Sequence, residues 1–189
     1  MLGEEKSPNP NPKTINPIII SVRGVFTFKK VNVNRAMVTV AIPAVAMILA
    51  SNRSDILPAT GAVTAISMGP NQCETTLRET VSLGVDNIIL LSDRRFAGAD
   101  TLATSYALSC AIRKIKDYDL IISGRQAIDG DTAQVGPQVA EKLGIPQITY
   151  AENIISIKDG TITVIRRLER GIEEVRSIYP VLITVNSSA

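Results

Sequence analysis

Residues 123–138 read Ser-Gly-Arg-Gln-Ala-Ile-Asp-Gly-Asp-Thr-Ala-Gln-Val-Gly-Pro-Gln, a set of types suited to holding an anion. Gly124 and Gly130 punctuate a polar turn that follows the apolar run Asp119-Leu120-Ile121-Ile122. That run has the look of a buried parallel strand. Helical spacing then extends from Thr132 to Leu143, and Asp131 followed by Gln134 fits a capping box. A strand feeding a helix through such a loop leaves backbone N–H groups free at the helix start, where a phosphate binds readily. Arg125 is the cation set against Asp129 and Asp131 in this stretch. A capped helix in an α/β domain, with no ligand at all, accounts for the same residues. Both readings stand on these residues alone.

Other chemistries are excluded by composition. The chain has no histidine, which removes Ser-His-Asp hydrolysis, imidazole metal sites and the usual general base near neutral pH. Cys73 and Cys110 show no ligand-like spacing and read as small apolar residues in a reducing compartment. A net charge of +2 and 4% aromatic residues argue against a nucleic-acid surface. The charge is uneven, with seven Lys/Arg against three Asp/Glu in residues 1–60. The most apolar run, Ala36 to Ala50, contains Pro43 and falls short of the roughly 20 residues a membrane span needs. Met1 to Lys13 is polar and shows no signal sequence. These features lead to the expectation of a cytoplasmic protein without membrane insertion.

The elements that must position the loop become regular only at Val63. Ser7 to Pro12 alternates serine or asparagine with proline and is expected to be disordered. Ile18-Ile19-Ile20 and Val25 to Phe28 suit strands, whereas Val38 to Leu49 suits either a strand or a buried helix. From Val63 the chain alternates. A strand to Met68 precedes a helix from an Asn71 cap to Leu83, carrying Cys73, Leu77, Thr80 and Val81 on one face and closed by Gly84. A strand from Asn87 to Ser92 precedes a helix capped by Asp100 that carries Leu102, Tyr106, Ala107, Cys110 and Ile112. Strand Asp119 to Ser123 leads into the loop described first. Extended segments follow over Thr149–Ile157, Thr161–Arg167, Glu173–Ile178 and Val181–Val185, with Asp159-Gly160 as a hairpin turn.

This rhythm predicts an α/β fold: a Rossmann-like parallel sheet with helices on both faces and a C-terminal antiparallel strand segment. Ligands in such sheets bind outside the carboxyl ends of the strands, where Ser67-Met68-Gly69-Pro70 and Gly124 to Val135 are expected to meet. Residues 1–62 read as an atypical, partly disordered region, and residues 63–189 as a nucleotide- or flavin-binding domain with a truncated C-terminus.

Four stretches resemble the beta subunit of the electron transfer flavoproteins. They are Ile66 to Pro70, Leu91 to Thr101, Gly124 to Gln138, and a signature carried by Arg166, Glu169, Gly171, Glu173, Val175, Pro180 and Leu182-Ile183-Thr184. Arg170 stands where the pattern prefers glycine, and residues 1–62 lack the family's opening strand and Asn-Pro loop, which suggests an out-of-frame or substituted N-terminus. The resemblance implies a heterodimer with an electron transfer flavoprotein alpha subunit and electron exchange with an acyl-CoA dehydrogenase-type redox partner. It implies FAD as cofactor, with AMP the alternative, and the loop form Thr132 to Pro137 is similar to the electron-bifurcating type. Carried over by residue, Ser67, Met68 and Gly69 lie near the adenosine. Gly124, Arg125, Gln126, Ala127, Ile128, Asp129, Gly130, Asp131, Thr132, Ala133, Gln134 and Val135 form the phosphate loop. Amides of residues 132–135 and the Thr132 hydroxyl are the implied donors, and Arg125 the implied counter-charge to phosphate or reduced flavin. An ATP-binding α/β module of adenylating or stress type, or a non-functional fragment, are the alternatives.

Overall fold

The computed structural model describes strand segments within residues 26–51 and then residues 62–82, 85–115, 118–127 and 130–185. The expectations for Ser7 to Pro12, Ile18 to Ile20, Gly84, Ile128 and Asp129 lie outside the described residues. The short strands β1 (Phe26–Thr27), β2 (Val31–Val33), β3 (Ala36–Val38) and β4 (Ala41–Ile42) pair as β1 with β4 and β2 with β3, both antiparallel. β5 (Ala46–Ser51) enters the main sheet, so the ambiguous stretch from Val38 to Leu49 holds strands.

The alternating elements follow closely on the sequence pattern. β6 (Ala62–Met68), α1 (Glu74–Ser82), β7 (Asn87–Leu91), α2 (Thr101–Ile115), β8 (Leu120–Gly124) and α3 (Val135–Leu143) come first. Then come β9 (Gln147–Lys158), β10 (Thr161–Leu168), β11 (Gly171–Ile178) and β12 (Val181–Val185). Together they build an eight-stranded sheet in the order β11-β10-β9-β12-β8-β5-β6-β7. β6 with β7, β8 with β12 and β12 with β9 are parallel. β9, β10 and β11 form the antiparallel segment. The fold is α/β with a mixed, mainly parallel centre. β5 departs from the expected pattern, because it runs antiparallel to both neighbours, β6 and β8.

Helices cover both faces. Leu77 of α1 packs on one face with Val63, Ala65, Leu90 and Ile122. Leu108 and Ile112 of α2, with Val139 and Ala140 of α3, cover Ile66, Met68, Ile121 and Leu182 on the other. β12, buried at every position, has the continuous apolar character of a strand covered on both sides. Each of the fully buried Ile66, Leu108, Ile112 and Leu182 contributes about 1.5–3 kcal/mol by leaving water.

Local chemistry explains the element ends. The Asp100 carboxylate accepts from the Ala103 N–H at 2.8 Å and caps α2 as expected. Gly144, at φ 69°, closes α3 by donating to the Ala140 and Glu141 carbonyls. Asp159 and Gly160, at φ 51° and 69°, make the two-residue turn between β9 and β10. Two expectations are corrected. Asn71 lies inside a 3-10 turn over Asn71–Cys73 that leads into α1 and does not cap it. On α2 the buried face is Ser105, Leu108, Ser109, Ala111 and Ile112, while Leu102 and Tyr106 face solvent. Ser105 and Ser109 tolerate burial because their hydroxyls donate to the Leu102 and Tyr106 carbonyls one turn back.

Candidate functional site

β6, β7, β8 and β12 all point the same way, so the segments following Met68, Leu91 and Gly124 gather at one end of the sheet. Ser67, Met68 and Gly69 occupy the end of β6; Gly124, Arg125, Gln126 and Ala127 follow from β8; Gly130 to Gln134 lead into Val135 of α3. β5 stands between β6 and β8, which sets the two expected loops about 10 Å apart at two strand spacings. A cavity of about 640 Å³ beside Met68, Gly69 and Pro70 is walled by Ser92, Arg94, Phe96 and Gly98, and no described residue of the 124–135 loop lines it. The β7–α2 loop is thus a wall that the candidate site residues did not include. Its signal in the sequence was the stretch Leu91 to Thr101.

The capping box at the head of α3 is not formed. Asp131 has φ 47° and its carboxylate accepts from the Gln126 amide, while the Gln134 side chain accepts from the Thr101 hydroxyl at 3.1 Å. Pro137 is the physical reason. In a helix begun at Thr132 its ring would press on the carbonyl of residue 133, whereas in a helix begun at Val135 it sits in the first turn, where a missing N–H costs nothing.

The consequence is a run of free donors. Ala133 has φ 52° and Gln134 is right-handed helical at φ −98°, the left-right alternation that turns successive amides inward. Among the described residues, none of the N–H groups of Thr132, Ala133, Gln134, Val135 and Gly136 finds an acceptor. Gln134, at the cap position, makes no side-chain bond to the helix. α2 closes its own start with Asp100, and α3 leaves its start open. The short reach of Gly136 to the sheet matters too: a Cβ there would lie 2.7 Å from Thr184 Cγ2.

Arg125 is exposed and donates its backbone N–H to the Val185 carbonyl at 3.0 Å. Its guanidinium carbon lies 4.8 Å from the centre of the Tyr150 ring. Tyr150, at φ 61°, was read only as part of a strand, because a bulge leaves no mark in residue types. At the end of β6 the Ser67 hydroxyl is fully buried and has no partner among the described residues. The buried Ser67 hydroxyl is a group that a polar ligand relieves, and the amides of Thr132 to Gly136, on residues mostly exposed or half-buried, are open to an acceptor. Nearby, the Arg95 side chain hydrogen-bonds Asp93 and holds its carboxyl down to about 2. No group of three or more metal-ligating side chains occurs among the described residues.

Comparison with known proteins decides the family. The model of the electron transfer flavoprotein domain matches residues 34–189. This chain belongs to the electron transfer flavoprotein family. It is 56% identical over 124 residues to the electron transfer flavoprotein subunit beta of Thermoanaerobacterium thermosaccharolyticum, covering 66% of this chain and 47% of that one. It is 49% identical over 130 residues to the protein FixA of Azotobacter vinelandii, covering 66% and 46%. It is likewise 49% identical over 122 residues to the caffeyl-CoA reductase-Etf complex subunit CarD of Acetobacterium woodii, covering 65% and 46%. The chain spans about half the length of these electron transfer flavoprotein relatives. No helix among its described residues is long and apolar enough to cross a membrane.

Proposed function

We propose that the chain is the nucleotide-carrying part of a beta subunit in a heterodimeric electron transfer flavoprotein, paired with an alpha subunit. Its cofactor on this reading is FAD, with AMP the alternative. Electrons would pass between it and an acyl-CoA dehydrogenase-type redox partner in the cytoplasm. The observation that carries the reading is the set of amides from Thr132 to Gly136, heading α3, that find no acceptor among the described residues. These are the donors a phosphate requires, and the helix start adds a positive dipole end.

A bound flavin supplies reversible electron acceptance, and the chain supplies binding and electrostatics. The amides of residues 132–136 and the Thr132 hydroxyl donate to phosphate oxygens. Arg125 supplies positive charge, which also favours an anionic reduced ring. Ser67, Met68 and Gly69 lie toward the adenosine. The Thr132 to Pro137 loop form is similar to that of the electron-bifurcating type, which favours that type here.

The test is mass spectrometry of the small molecule released from the complex purified after co-expression with an alpha subunit, beside a visible absorbance scan. FAD with flavin bands is expected in excess of what one flavin per heterodimer supplies. One flavin plus AMP would select the alternative, and a colourless complex releasing ATP would reject the flavoprotein reading.

A further inference from the structure

We infer that Tyr150 and Thr184 are positioning residues that hold the Arg125 guanidinium as counter-charge to the nucleotide phosphate, an inference that rests on the proposed nucleotide site. Arg125 leaves the end of β8 exposed, and a long flexible side chain there samples many rotamers unless something fixes it. The backbone end is fixed by the bond from its N–H to the Val185 carbonyl. The charged end is fixed by the Tyr150 ring, 4.8 Å away and within the range of a cation–π contact. No acidic side chain pairs with Arg125 among the described residues. An aromatic face differs from a carboxylate in leaving both the charge and the in-plane N–H donors of a guanidinium open to a phosphate.

The ring reaches Arg125 from two strands away through a bulge. Ile148 pairs with Ile183 and Ala151 with Val185, so Thr149 and Tyr150 together oppose the single Thr184. Tyr150 adopts φ 61°, a left-handed conformation that bulky residues rarely take. Its N–H, displaced from the ladder, donates to the Thr184 hydroxyl at 3.1 Å. Thr184 is 2% exposed, and its Cγ2 is the atom lying against Gly136 in the first turn of α3. One buried threonine therefore ties the tyrosine beneath Arg125 to the helix start that presents the phosphate donors. Strain of this kind persists where the surroundings over-determine it, and here they aim an aromatic ring.

Titration calorimetry of the full chain with AMP and, separately, with adenosine tests this. Tyr150→Leu is expected to lose about tenfold in AMP affinity with adenosine affinity unchanged, and Tyr150→Phe to stay within about twofold of wild type. The double variant Arg125→Gln/Tyr150→Leu should bind AMP no more weakly than Arg125→Gln alone, since the ring acts through the guanidinium. Thr184→Val, which keeps the methyl and removes the acceptor, should show the same AMP-selective loss, and it carries the test if Tyr150→Leu folds poorly. Equal losses for adenosine, or effects of Arg125→Gln and Tyr150→Leu that add in full, would overturn the inference while leaving the nucleotide site standing. A wild-type chain that binds AMP no better than adenosine would remove the phosphate site and this inference together.

Discussion

Gly136 and Thr184 sit so close that a Cβ on the glycine would lie 2.7 Å from the threonine Cγ2. The head of α3 rests on β12 with no room for a side chain. Gly136→Ala forces a shift of backbone or threonine, at about 1–3 kcal/mol for overpacking. The better helix propensity of alanine offsets up to about 1 kcal/mol of that. A net loss of about 1–2 kcal/mol is expected, read as a lower urea midpoint. Thr184→Ser deletes the offending methyl and keeps the hydroxyl that holds Tyr150. The combined variant should therefore be more stable than the sum of the two single effects allows. Simple additivity would show that the contact is not what constrains the helix start.

Removal of the Ser67 hydroxyl should separate stability from binding. The group is fully buried and unpartnered among the described residues, and an unsatisfied buried hydroxyl costs about 1–3 kcal/mol. Ser67→Ala is expected to stabilise the ligand-free chain by about 1 kcal/mol and to weaken AMP binding. Thermal unfolding with and without AMP measures both changes. A variant that binds AMP as well as wild type would place Ser67 outside the site.

The alternation of elements from Val63 onward was legible because local signals agreed there: β-branched runs, an Asp100 cap that the structure keeps, and an Asp159-Gly160 turn. The start of α3 was misplaced by a competing rule. Asp131 and Gln134 have the spacing of a capping box, yet Pro137 forbids the helix that box would begin. On α2, Leu102 and Tyr106 drew the apolar face toward themselves, because Ser105 and Ser109 hide their polarity only once the helix exists. Tyr150 was invisible for a different reason. A bulge arises from register between β9 and β12, and register over a sequence separation of 34 residues is not written in any local window.

Arg166 and Glu173 face each other across β10 and β11, with the guanidinium 2.7 Å and 2.9 Å from one carboxylate oxygen. Their place in the sequence signature invites a functional reading, but the carboxylate is half exposed. Partly solvated pairs of this type contribute about 0.2–1 kcal/mol. Arg166→Ala is expected to cost no more than about 1 kcal/mol in urea unfolding and to leave AMP affinity unchanged. A larger effect on binding than on stability would give this pair a role at the nucleotide.

Tyr179 provides a pH signature at the other end of the sheet. Partial burial, reinforced by the Asp119 charge, pushes its phenol up to about 12. In the unfolded chain a tyrosine titrates near 10. Between those values the unfolded state has released the proton that the folded state retains, so unfolding is favoured as pH rises. The stabilising contribution is therefore whole below about pH 10 and is lost as pH climbs through about 12. Urea midpoints measured from pH 9 to 12 should fall more steeply for wild type than for Tyr179→Phe, which keeps the ring and removes the titrating group. Parallel curves would mean that another group governs alkaline unfolding.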